Sequence, residues 1–313
     1  MSRFDVTIAG ELNLDLILYG LPEELPPERE LVTDRMMLTL GSSSAIVAHN
    51  LAALGSRVGF QSRIGDDSLG LIALERLSES GVDVSRVHKV PGPRKTAITV
   101  ILQHKDWRNI LTYAGTIVDL TLDNLDFEFL SSSRHFHLSS FYLQKGLSPR
   151  VPELFKKLKQ AGLTISLDTN DDPDDRWEGQ LSEALRYVDV FLPNAREAKK
   201  IAKTDDLEIA VARLAELVPI VVVKLGAEGA IAQRGKERME SPAMNVDFVD
   251  AVGAGDSFDA GFLHEFVRGS NLRVCLACGN RAGAFSTTRA GGTEAFRDRD
   301  YQKQFLADLP SEP

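Results

Sequence analysis

The sequence predicts an α/β fold in which helices cover both faces of a doubly wound, mostly parallel sheet, giving three layers, with a small β-sheet as a lid. Short apolar runs typical of strands alternate with helical patterns over most of the 313 residues, as expected when crossover helices connect parallel strands. The run 220–225, IVVVKL, is almost entirely β-branched, which indicates a strand buried on both faces. Around 95–113 the alternation is instead typical of a hairpin.

The chain begins with a predicted buried strand at 6–10 that ends in glycine. In 12–18 leucines alternate with Asn13 and Asp15, which predicts an extended strand with these two residues on its polar face. The stretch 40–55 combines three serines at its start, an apolar helical face and a final glycine. These are start and stop signals of a helix.

Later strands and helices are predicted to alternate. We expect strands at 57–62, 136–138, 163–168, 188–192 and 220–225, and helices at 69–80, 151–162, 195–202, 207–217 and 272–288. A short hairpin follows the strand at 220–225, and the glycine pair Gly291 and Gly292 is expected to finish the core.

Two stretches break this alternation and predict the lid, one at about 12–38 and one at about 95–115. The first contains a Pro- and Glu-rich segment, 22–30, which indicates a solvated connection. The second alternates on both sides of a polar tip at 104–108. Because no repeat or long linker separates these stretches from the core, we expect a single domain over 1–313 with the lid inserted into it.

Bulk composition limits the classes of function. A net charge of −9 argues against general nucleic-acid binding. The two cysteines, Cys275 and Cys278, lie in a helical pattern and are expected to be free thiols. The N-terminal stretch lacks the apolar run of a signal peptide or a membrane span, so we expect a cytoplasmic protein without a membrane partner.

The stretch 249–262, VDAVGAGDSFDAGF, is the one around which the chain is organised. It predicts a strand end at 246–249, a turn at Gly253-Ala254-Gly255, and a buried helix with phenylalanines four residues apart. A small-residue turn before a helix presents N–H groups and the positive end of the helix dipole to an anion. Asp256 in the first turn then has two interpretations, a helix cap or a general base that takes a hydroxyl proton during phosphoryl transfer.

Polar residues follow several predicted strands, and the carboxyl ends of parallel strands share the edge where ligands bind. These residues are Asn13 and Asp15, Asp168 and Asn170, Asn194 and Glu197, Lys224 and Gly226, and Asp250 and Asp256. The sequence has no G-x-x-x-x-G-K-[ST] loop, no dinucleotide-binding G-x-G-x-x-G after the first strand and no G-x-S-x-G elbow. Both observations favour the general-base interpretation of Asp256.

These residues resemble the ribokinase-like (PfkB-type) family of carbohydrate and nucleoside kinases. DAVGAGDSFDAGF resembles the C-terminal signature of the family, and the 40–55 helix with IGDDSLG at 64–70 resembles its N-terminal signature. NARE at 194–197 resembles its N-x-x-E motif, and LGAEG at 225–229 its nucleotide loop. The resemblance runs nearly end to end and implies an α/β core, a β lid, and ATP-dependent phosphorylation of a small sugar or nucleoside.

By this resemblance Asp256 is the catalytic base, and Gly253, Ala254 and Gly255 form the anion hole for the transferred phosphoryl group. The implied ATP contacts are Asn194, Lys224, Gly226, Gly229, Gly255, Ala277, Asn280 and Gly283. For Lys224 an alternative stays open, a strand-end lysine that keeps its ammonium group in solvent.

The resemblance also implies two ion sites and a substrate site. Glu197 and Asn194 would hold Mg²⁺ through water, and Asp250, Ala290 and Gly292 match a monovalent-cation site that would take K⁺. The implied substrate contacts are Asn13, Asp15, Gly41 and Asp256, to which we add Ser42 and Ser139.

Ser42 and Ser139 stand where this chain departs from the family pattern. Ser42 replaces the second glycine of the N-terminal signature, and Ile46 replaces its asparagine. Ser139 and Ser140 stand near the position of an acidic substrate contact. Because a site built on hydrogen bonds discriminates strongly, these changes should alter the choice of substrate.

Aromatic residues near the site suit either a sugar face or a nucleobase: Phe141, Tyr142 and Trp107. Core packing is the simpler explanation for Phe141.

Three functions follow. The first is a kinase for the primary hydroxyl group of a small sugar or sugar acid, and the second a nucleoside kinase in which a lid aromatic stacks on the base. The third, a catalytically silent sugar or nucleotide sensor, is disfavoured because Asp256 and the anion turn are intact. A lid sheet exposes strand edges and an apolar face, so we expect a homodimer that pairs two lids.

Overall fold

The structure, a computed structural model, describes residues 2–105 and 107–307. Met1, Asp106 in the predicted hairpin tip, and residues 308–313 lie outside the described residues. The strands are β1 (Phe4–Ala9), β2 (Leu14–Tyr19), β3 (Arg35–Leu40), β4 (Val58–Gly65), β5 (Asp83–Val90), β6 (Ile98–Gln103), β7 (Arg108–Tyr113), β8 (Ser133–Leu138), β9 (Thr164–Leu167), β10 (Val190–Phe191), β11 (Ile220–Lys224), β12 (Ala230–Arg234) and β13 (Glu237–Ser241). The α-helices are α1 (Ser43–Ala53), α2 (Ser68–Glu79), α3 (Phe127–Ser131), α4 (Val151–Gln160), α5 (Leu181–Ala184), α6 (Ala195–Ile201), α7 (Leu207–Ala215), α8 (Ala254–Phe266), α9 (Leu272–Ser286), α10 (Glu294–Arg297) and α11 (Arg299–Ala307).

The larger sheet has the strand order β13-β12-β11-β10-β9-β8-β1-β4-β5 within the described part of the chain. Neighbouring strands from β11 to β5 are parallel, and β12 and β13 pair antiparallel. The chain winds outward in both directions from β1, where Val6 lies opposite Val58 of β4 and His135 of β8. The predicted doubly wound, mostly parallel sheet is confirmed, and the carboxyl ends of its parallel strands meet at one edge.

Helices cover both faces of this sheet. In β11, Val221 and Val223 pack into the core on the side of α4, α6 and α7, whereas Ile220 and Val222 pack on the side of α1, α8 and α9. Both sets of side chains are therefore removed from water, which explains the unbroken β-branched run in the sequence. The predicted three-layer arrangement is confirmed.

The smaller sheet has the strand order β3-β2-β6-β7 and draws on both predicted lid stretches. On the face of this sheet that looks toward the core, Ile17 and Ile101 pack on Val252, in the loop before α8. The segment 22–30 is exposed, as predicted. No helix in the described ranges has the length and apolar character needed to cross a membrane.

The predicted strand end at 246–249 is wrong. Residues 242–250 form no regular element, and Phe248 and Val249 are 67% and 49% exposed. The apolar side chains of Val246 and Phe248 line a cavity beside α8 and do not enter the sheet.

The core also extends beyond Gly291 and Gly292, where it was expected to finish. The ring of Phe296 in α10 packs against Phe285 with a centroid distance of 5.0 Å, and Phe305 in α11 packs on the same ring. The edge strand β5 was missed because it contains no fully buried residue and thus has no core-strand pattern. The one-turn helices α3 and α5 are too short to show a helical period.

We expect Phe155→Ala to lower the free energy of unfolding by about 3–5 kcal/mol, because this ring is fully buried in α4 and packs edge-on against Phe136. Urea denaturation without nucleotide measures the effect. The matched change Phe248→Ala removes a mostly exposed ring and should alter stability by about 0.5 kcal/mol or less. Equal losses in the two variants would contradict this account of the core.

Candidate active site

The start of α8 is shaped by a contact between two glycines. Gly253 precedes the helix in the left-handed conformation, with φ of 71°. A Cβ atom at this position would come within 2.5 Å of Gly292 Cα and 3.2 Å of Ile46 Cδ1, so glycine is required. No side chain caps the helix, and its first-turn N–H groups lack intrahelical acceptors. Asp256 is therefore not a cap, and the turn keeps its capacity to bind an anion.

Within this turn, the Ala254 N–H already donates to the Ala251 carbonyl oxygen at 3.2 Å. Two of the three predicted anion-hole residues, Ala254 and Gly255, line the adjoining cavity.

Asn50 of α1 holds the turn from behind. Its Nδ2 donates to Ser257 Oγ at 2.9 Å and to the Gly292 carbonyl oxygen at 3.0 Å. Ser257 Oγ in turn donates to the Gly253 carbonyl oxygen at 2.7 Å. Sequence reasoning missed Asn50, although a polar residue three positions after Val47 on an apolar helical face was a usable signal.

An apolar cavity of about 420 Å³ opens between α8, α9 and the loop that follows β13. It brings together six of the eight predicted ATP contacts: Lys224, Gly226, Gly229, Gly255, Asn280 and Gly283. Asn194 and Ala277 do not line it. Asn280 Nδ2 donates to the carbonyl oxygens of Ser241 and Pro242 at 2.9 and 3.0 Å, so it fixes the cavity wall. A cavity of this size, mostly apolar with a few polar groups, is typical of a small-molecule site.

Lys224 turns inward at the end of β11. Its Nζ lies 2.6 Å from Asp168 Oδ2 and 3.2 Å from Asp259 Oδ2, and its side chain is only 11% exposed. The alternative prediction of an ammonium group in solvent is wrong. Although burial alone would lower it, these carboxylates raise the pKa of Lys224, so the lysine stays charged.

The two carboxyl groups beside Lys224 respond differently. Burial opposes ionisation of Asp168. Lys224, which lies closer to Asp168 than to Asp259, nevertheless holds the pKa of Asp168 below its usual range. Burial raises the pKa of Asp259 well above that range, since Lys224 only partly offsets it. Lys224 thus keeps Asp168 ionised but does not do the same for Asp259.

Asp256 lies in the first turn of α8 and is almost fully buried. Burial, and then the Asp168 carboxylate, raise its pKa to about 6, against the opposing effect of Lys224. A carboxyl group with a pKa of about 6 is mostly ionised at neutral pH and is also basic enough to accept a proton. Burial and the charge of Asp256 likewise raise the pKa of Asp15 to about 7.

Asn13, Asp15 and Gly41 come together where the lid meets the core. Asn13 Nδ2 lies 3.5 Å from Asp15 Oδ1 and from Thr99 Oγ1. The Gly41 N–H donates to the Asn13 carbonyl oxygen at 3.0 Å, and a Cβ atom on Gly41 would overlap the Asp15 carboxylate. The predicted glycine is thus needed for the close approach of that carboxylate.

Residues 4–299 match the family model described as "pfkB family carbohydrate kinase". The chain belongs to this family. It is 30% identical over 293 residues to an ATP-dependent ribose-1-phosphate kinase of Halopiger xanaduensis, covering 93% of this chain and 94% of the relative. It is 28% identical over 283 residues to a 2-dehydro-3-deoxygluconokinase of Bacillus subtilis, covering 86% of each.

The fold of this pfkB-family kinase is also that of solved ribokinases. The structure of Arabidopsis thaliana ribokinase complexed with ribose and ATP superposes with a TM-score of 0.82 at 23% identity, covering 99% of this chain and 100% of the other. The predicted ribokinase-like fold and the carbohydrate-kinase class are therefore confirmed.

Ser42 and Ser139 make hydrogen bonds within the protein through their hydroxyl groups. Ser42 Oγ donates to the Glu11 carbonyl oxygen at 2.5 Å and accepts from the Ala45 N–H at 3.1 Å, so it caps α1. Ser139 is fully buried, with its Oγ 2.7 Å from His137 Nε2. Both hydroxyl groups thus have partners within the protein, and their contact with a substrate stays a prediction.

The three aromatic candidates have partners of their own. Phe141 is buried, as core packing predicted. Tyr142 packs edge-on against Trp177 with a centroid distance of 5.6 Å, and Trp107 stacks on His104 at 3.7 Å.

Asn194 and Glu197 form a capping box at the start of α6. The Asn194 N–H donates to Glu197 Oε2 at 2.8 Å, and the Glu197 N–H donates to Asn194 Oδ1 at 3.0 Å. Asn194 Nδ2 also donates to Glu197 Oε1 at 2.5 Å. Burial, and then Asp168, raise the pKa of Glu197 to about 7.

Both carboxylate oxygens of Glu197 accept hydrogen bonds from Asn194. Residues 2–105 and 107–307 contain no cluster of three acidic, His or Cys side chains that could hold a metal ion. The pair fits Mg²⁺ only through intervening water.

The residues predicted to hold a monovalent cation are neighbours. Asp250 Oδ2 accepts from the Gly291 N–H at 3.3 Å and from the Tyr19 hydroxyl group at 2.9 Å, and Asp250 Oδ1 accepts from the Val252 N–H. Thr293 Oγ1 is buried without a hydrogen-bond partner among the described residues. The Gly292 carbonyl oxygen already accepts a hydrogen bond from Asn50 Nδ2. A cation at Asp250, Ala290 and Gly292 would share these oxygens with the donors already bound to them, and we assign no step to K⁺.

The raised pKa of Asp15 predicts a pH-dependent stability. In the folded protein the pKa of Asp15 is about 7 rather than its ordinary value of 3.8. The contribution of Asp15 to the free energy of unfolding is therefore fully present below pH 4 and is lost as the pH rises through 7. Asp15→Asn should remove this loss. We expect its unfolding free energy relative to wild type to rise by on the order of 2–4 kcal/mol between pH 4 and pH 8.

Thermal and urea unfolding across this pH range measure that difference. Asp247→Asn, which removes an exposed carboxylate, is the charge-matched control and should show a flat difference. A flat difference for Asp15→Asn would contradict the burial of an ionisable Asp15.

Proposed function

We propose that this chain is an ATP-dependent kinase that transfers the γ-phosphoryl group of ATP to a primary hydroxyl group of a small sugar or sugar derivative. The position of Asp256 is the observation that supports this most directly. It follows Gly255 of the apolar cavity, and its charge acts on Asp15 at the lid. A buried base between a nucleotide cavity and hydroxyl-binding side chains is the arrangement that phosphoryl transfer to an alcohol requires.

In the proposed reaction Asp256 accepts the proton of the attacking hydroxyl group. The Gly253-Ala254-Gly255 turn and the dipole of α8 stabilise the negative charge on the transferred phosphoryl group. Asn13, Asp15 and the backbone at Gly41 bind the remaining hydroxyl groups of the acceptor. The lid excludes water, which would otherwise hydrolyse ATP.

We place the adenosine part of ATP in the 420 Å³ cavity, with its phosphates directed toward Gly255. Mg²⁺ would supply charge neutralisation at the phosphates and would be held by Asn194 and Glu197 through water. Lys224 lies beside this path, because its Nζ is 3.6 Å from the position that a Cβ atom of Gly255 would take. Its ion pairs with Asp168 and Asp259 make it part of the wall of the phosphate site.

The acceptor is proposed to be a sugar rather than a nucleoside. Relatives named as kinases of ribose-1-phosphate and of 2-dehydro-3-deoxygluconate support this class. A nucleoside would require an aromatic face for its base, and Trp107 and Tyr142 already pack against His104 and Trp177.

The same proposal covers the organisation of the chain. We infer that 1–313 acts as one kinase domain, since lid residues contribute to the substrate site of the core. The cytoplasmic location stays a prediction.

Release of ADP from Mg-ATP, measured with a panel of acceptors, tests this function. The panel contains neutral hexoses and pentoses, sugar acids, sugar phosphates and nucleosides. We expect turnover with a sugar or sugar derivative, and Asp256→Asn should reduce kcat with that acceptor by about 10²–10⁴-fold. The wild-type rate should fall on the acid side with an apparent pKa of about 6.

Preference for nucleosides would support the alternative kinase. Tight binding of ATP without ADP formation on any acceptor would instead indicate a silent sensor. Wild-type turnover by Asp256→Asn would refute the assignment of the base.

We also propose that the chain forms a homodimer through its lids. The outer face of the small sheet is apolar, with Leu16 paired to Leu38 and to Val100. Next to them Met36 and Leu111 are 62% and 53% exposed. The lid of a second copy, related by a two-fold axis, would cover this face and the exposed edge strand β7.

Light scattering at micromolar concentration should give twice the monomer mass, and Leu111→Lys should give the monomer mass, because a charge on the covered face opposes association. The control Leu217→Lys alters an exposed leucine outside the lid and should leave the dimer intact. A monomeric wild type would refute this proposal without affecting the proposed reaction.

A further inference from the structure

Two residues with left-handed backbone meet at the carboxyl edge of the sheet. Ser140 follows β8 and has φ of 54°, and Asn170 follows β9 and has φ of 51°. This conformation is uncommon for residues other than glycine, and Asn tolerates it better than most. The Ser140 N–H donates to Asn170 Oδ1 at 2.8 Å, so the two strand ends are joined by a direct hydrogen bond.

That hydrogen bond determines the orientation of the Asn170 amide. A backbone N–H can only donate, so the atom facing Ser140 must be the oxygen. The NH₂ group must then face the opposite side, where it finds two carboxylates. Asn170 Nδ2 lies 3.4 Å from Asp168 Oδ2 and 3.4 Å from Asp256 Oδ1. The two amide protons match these two acceptors.

We propose that Asn170 is a positioning residue for Asp256, which holds one carboxylate oxygen so that the other faces the acceptor hydroxyl group. This inference rests on the proposed function, in which Asp256 is the base. Asn170 bridges Asp256 to Asp168, and Asp168 is anchored by Lys224 at 2.6 Å. The base is therefore connected through one neutral side chain to the buried ion pair.

A neutral donor matters here because the surroundings of Asp256 are mostly acidic. The hydroxyl group of Ser43 and the charge of Lys224 favour its ionised form, and the acidic groups oppose it. The titratable groups that act on or around Asp256 are Asp15, Glu11, Asp168, Lys224 and Asp259. A neutral N–H group directed at Asp256 stabilises the carboxylate anion by a hydrogen bond and adds no charge to the site.

The hydrogen bonds that hold Asn170 in place extend to the other side of the site. Ser140 Oγ donates to Glu11 Oε1 at 2.8 Å, and Glu11 Oε2 accepts from Ser44 Oγ at 2.7 Å. Ser44 lies in the first turn of α1. Asn170 is thus held between β8, β9 and α1, and its contact with Asp256 follows from that fixed position.

Asn170→Asp is the decisive substitution. The new side chain still accepts the Ser140 N–H and still tolerates the left-handed backbone, but it loses both amide donors and places a third carboxyl group beside Asp168 and Asp256. We expect kcat to fall roughly 10- to 100-fold, with the KM for ATP changed by less than about two-fold. The acid limb of the kcat profile should move to higher pH by about one unit.

Asn170→Gly removes the donors without adding charge and relieves the backbone, so it covers the case in which the first variant does not fold. Its acid limb should move in the same direction by a smaller amount. Asn271→Asp is the charge-matched control, because Asn271 caps α9 through Val274 N and does not contact the site. We expect it to keep the wild-type rate and pH profile.

A second readout does not depend on turnover. Protein labelled with ¹³C at the aspartate carboxyl carbons is titrated by NMR, with the Asp256 resonance identified by its loss in Asp256→Asn. We expect this titration to move to higher pH in both Asn170 variants. If the wild type transfers no phosphoryl group, the proposed function fails, and the NMR titration alone decides whether Asn170 acts on Asp256. A lower rate with an unmoved acid limb and an unmoved NMR titration would overturn the inference, because Asn170 would then be a merely structural residue.

Discussion

Gly253 and Gly292 lie so close that one methyl group on Gly253 would reach within 2.5 Å of Gly292 Cα. This contact sets the direction in which α8 leaves the preceding loop and therefore the direction of its free N–H groups. Asn50 of α1 locks the arrangement by donating to both sides of it, to Ser257 and to Gly292. The proposed anion hole, the cavity beside it and the proposed base Asp256 all depend on this close approach for their positions.

The electrostatics of the site follow from the burial of more carboxyl groups than cations. Lys224 helps to keep the pKa of Asp168 below its usual range, while the pKa values of Asp256 and Asp15 rise to about 6 and about 7. The protein thus holds carboxyl groups that are destabilised as anions, which reduces its stability at neutral pH. The same destabilisation makes Asp256 a better proton acceptor. In this sense the chemistry proposed for the site and the pH dependence of its stability have one physical cause.

The lid is joined to the core next to the turn before α8. The Tyr19 hydroxyl group donates to Asp250, and Ile17 and Ile101 pack on Val252, two residues further along. Asp15, on the same strand as Tyr19, is one of the residues proposed to bind the acceptor. Any movement of the lid would therefore act on the loop that leads into Gly253 as well as on the acceptor, which connects substrate enclosure to the geometry of the phosphate turn.

Much of the fold could be predicted from the sequence because it depends on local patterns. The parallel core follows from alternating strands and helices, and the lid from period-two alternation. The errors share a cause. Phe248 carries an apolar signal but faces a cavity, and β5 is a strand without an apolar signal. In the site, Ser42 and Ser139 were assigned by position along the chain, but capping and strand partners decide where their hydroxyl groups point.

The sequence by itself determined the family, the two-sheet architecture and the identity of Asp256 and its glycine turn, because these reside in contiguous residues whose spacing carries the signal. Only the tertiary structure decided that Lys224 is buried between Asp168 and Asp259, that Asn50 locks the anion turn, and that Asn170 bridges Asp168 to Asp256. Apart from the contact between Asn170 and Asp168, which spans two positions, these contacts join residues that are 35 to 242 positions apart in the chain. No local period or propensity encodes such a contact, since it exists only after the sheet has brought its strand ends to one edge.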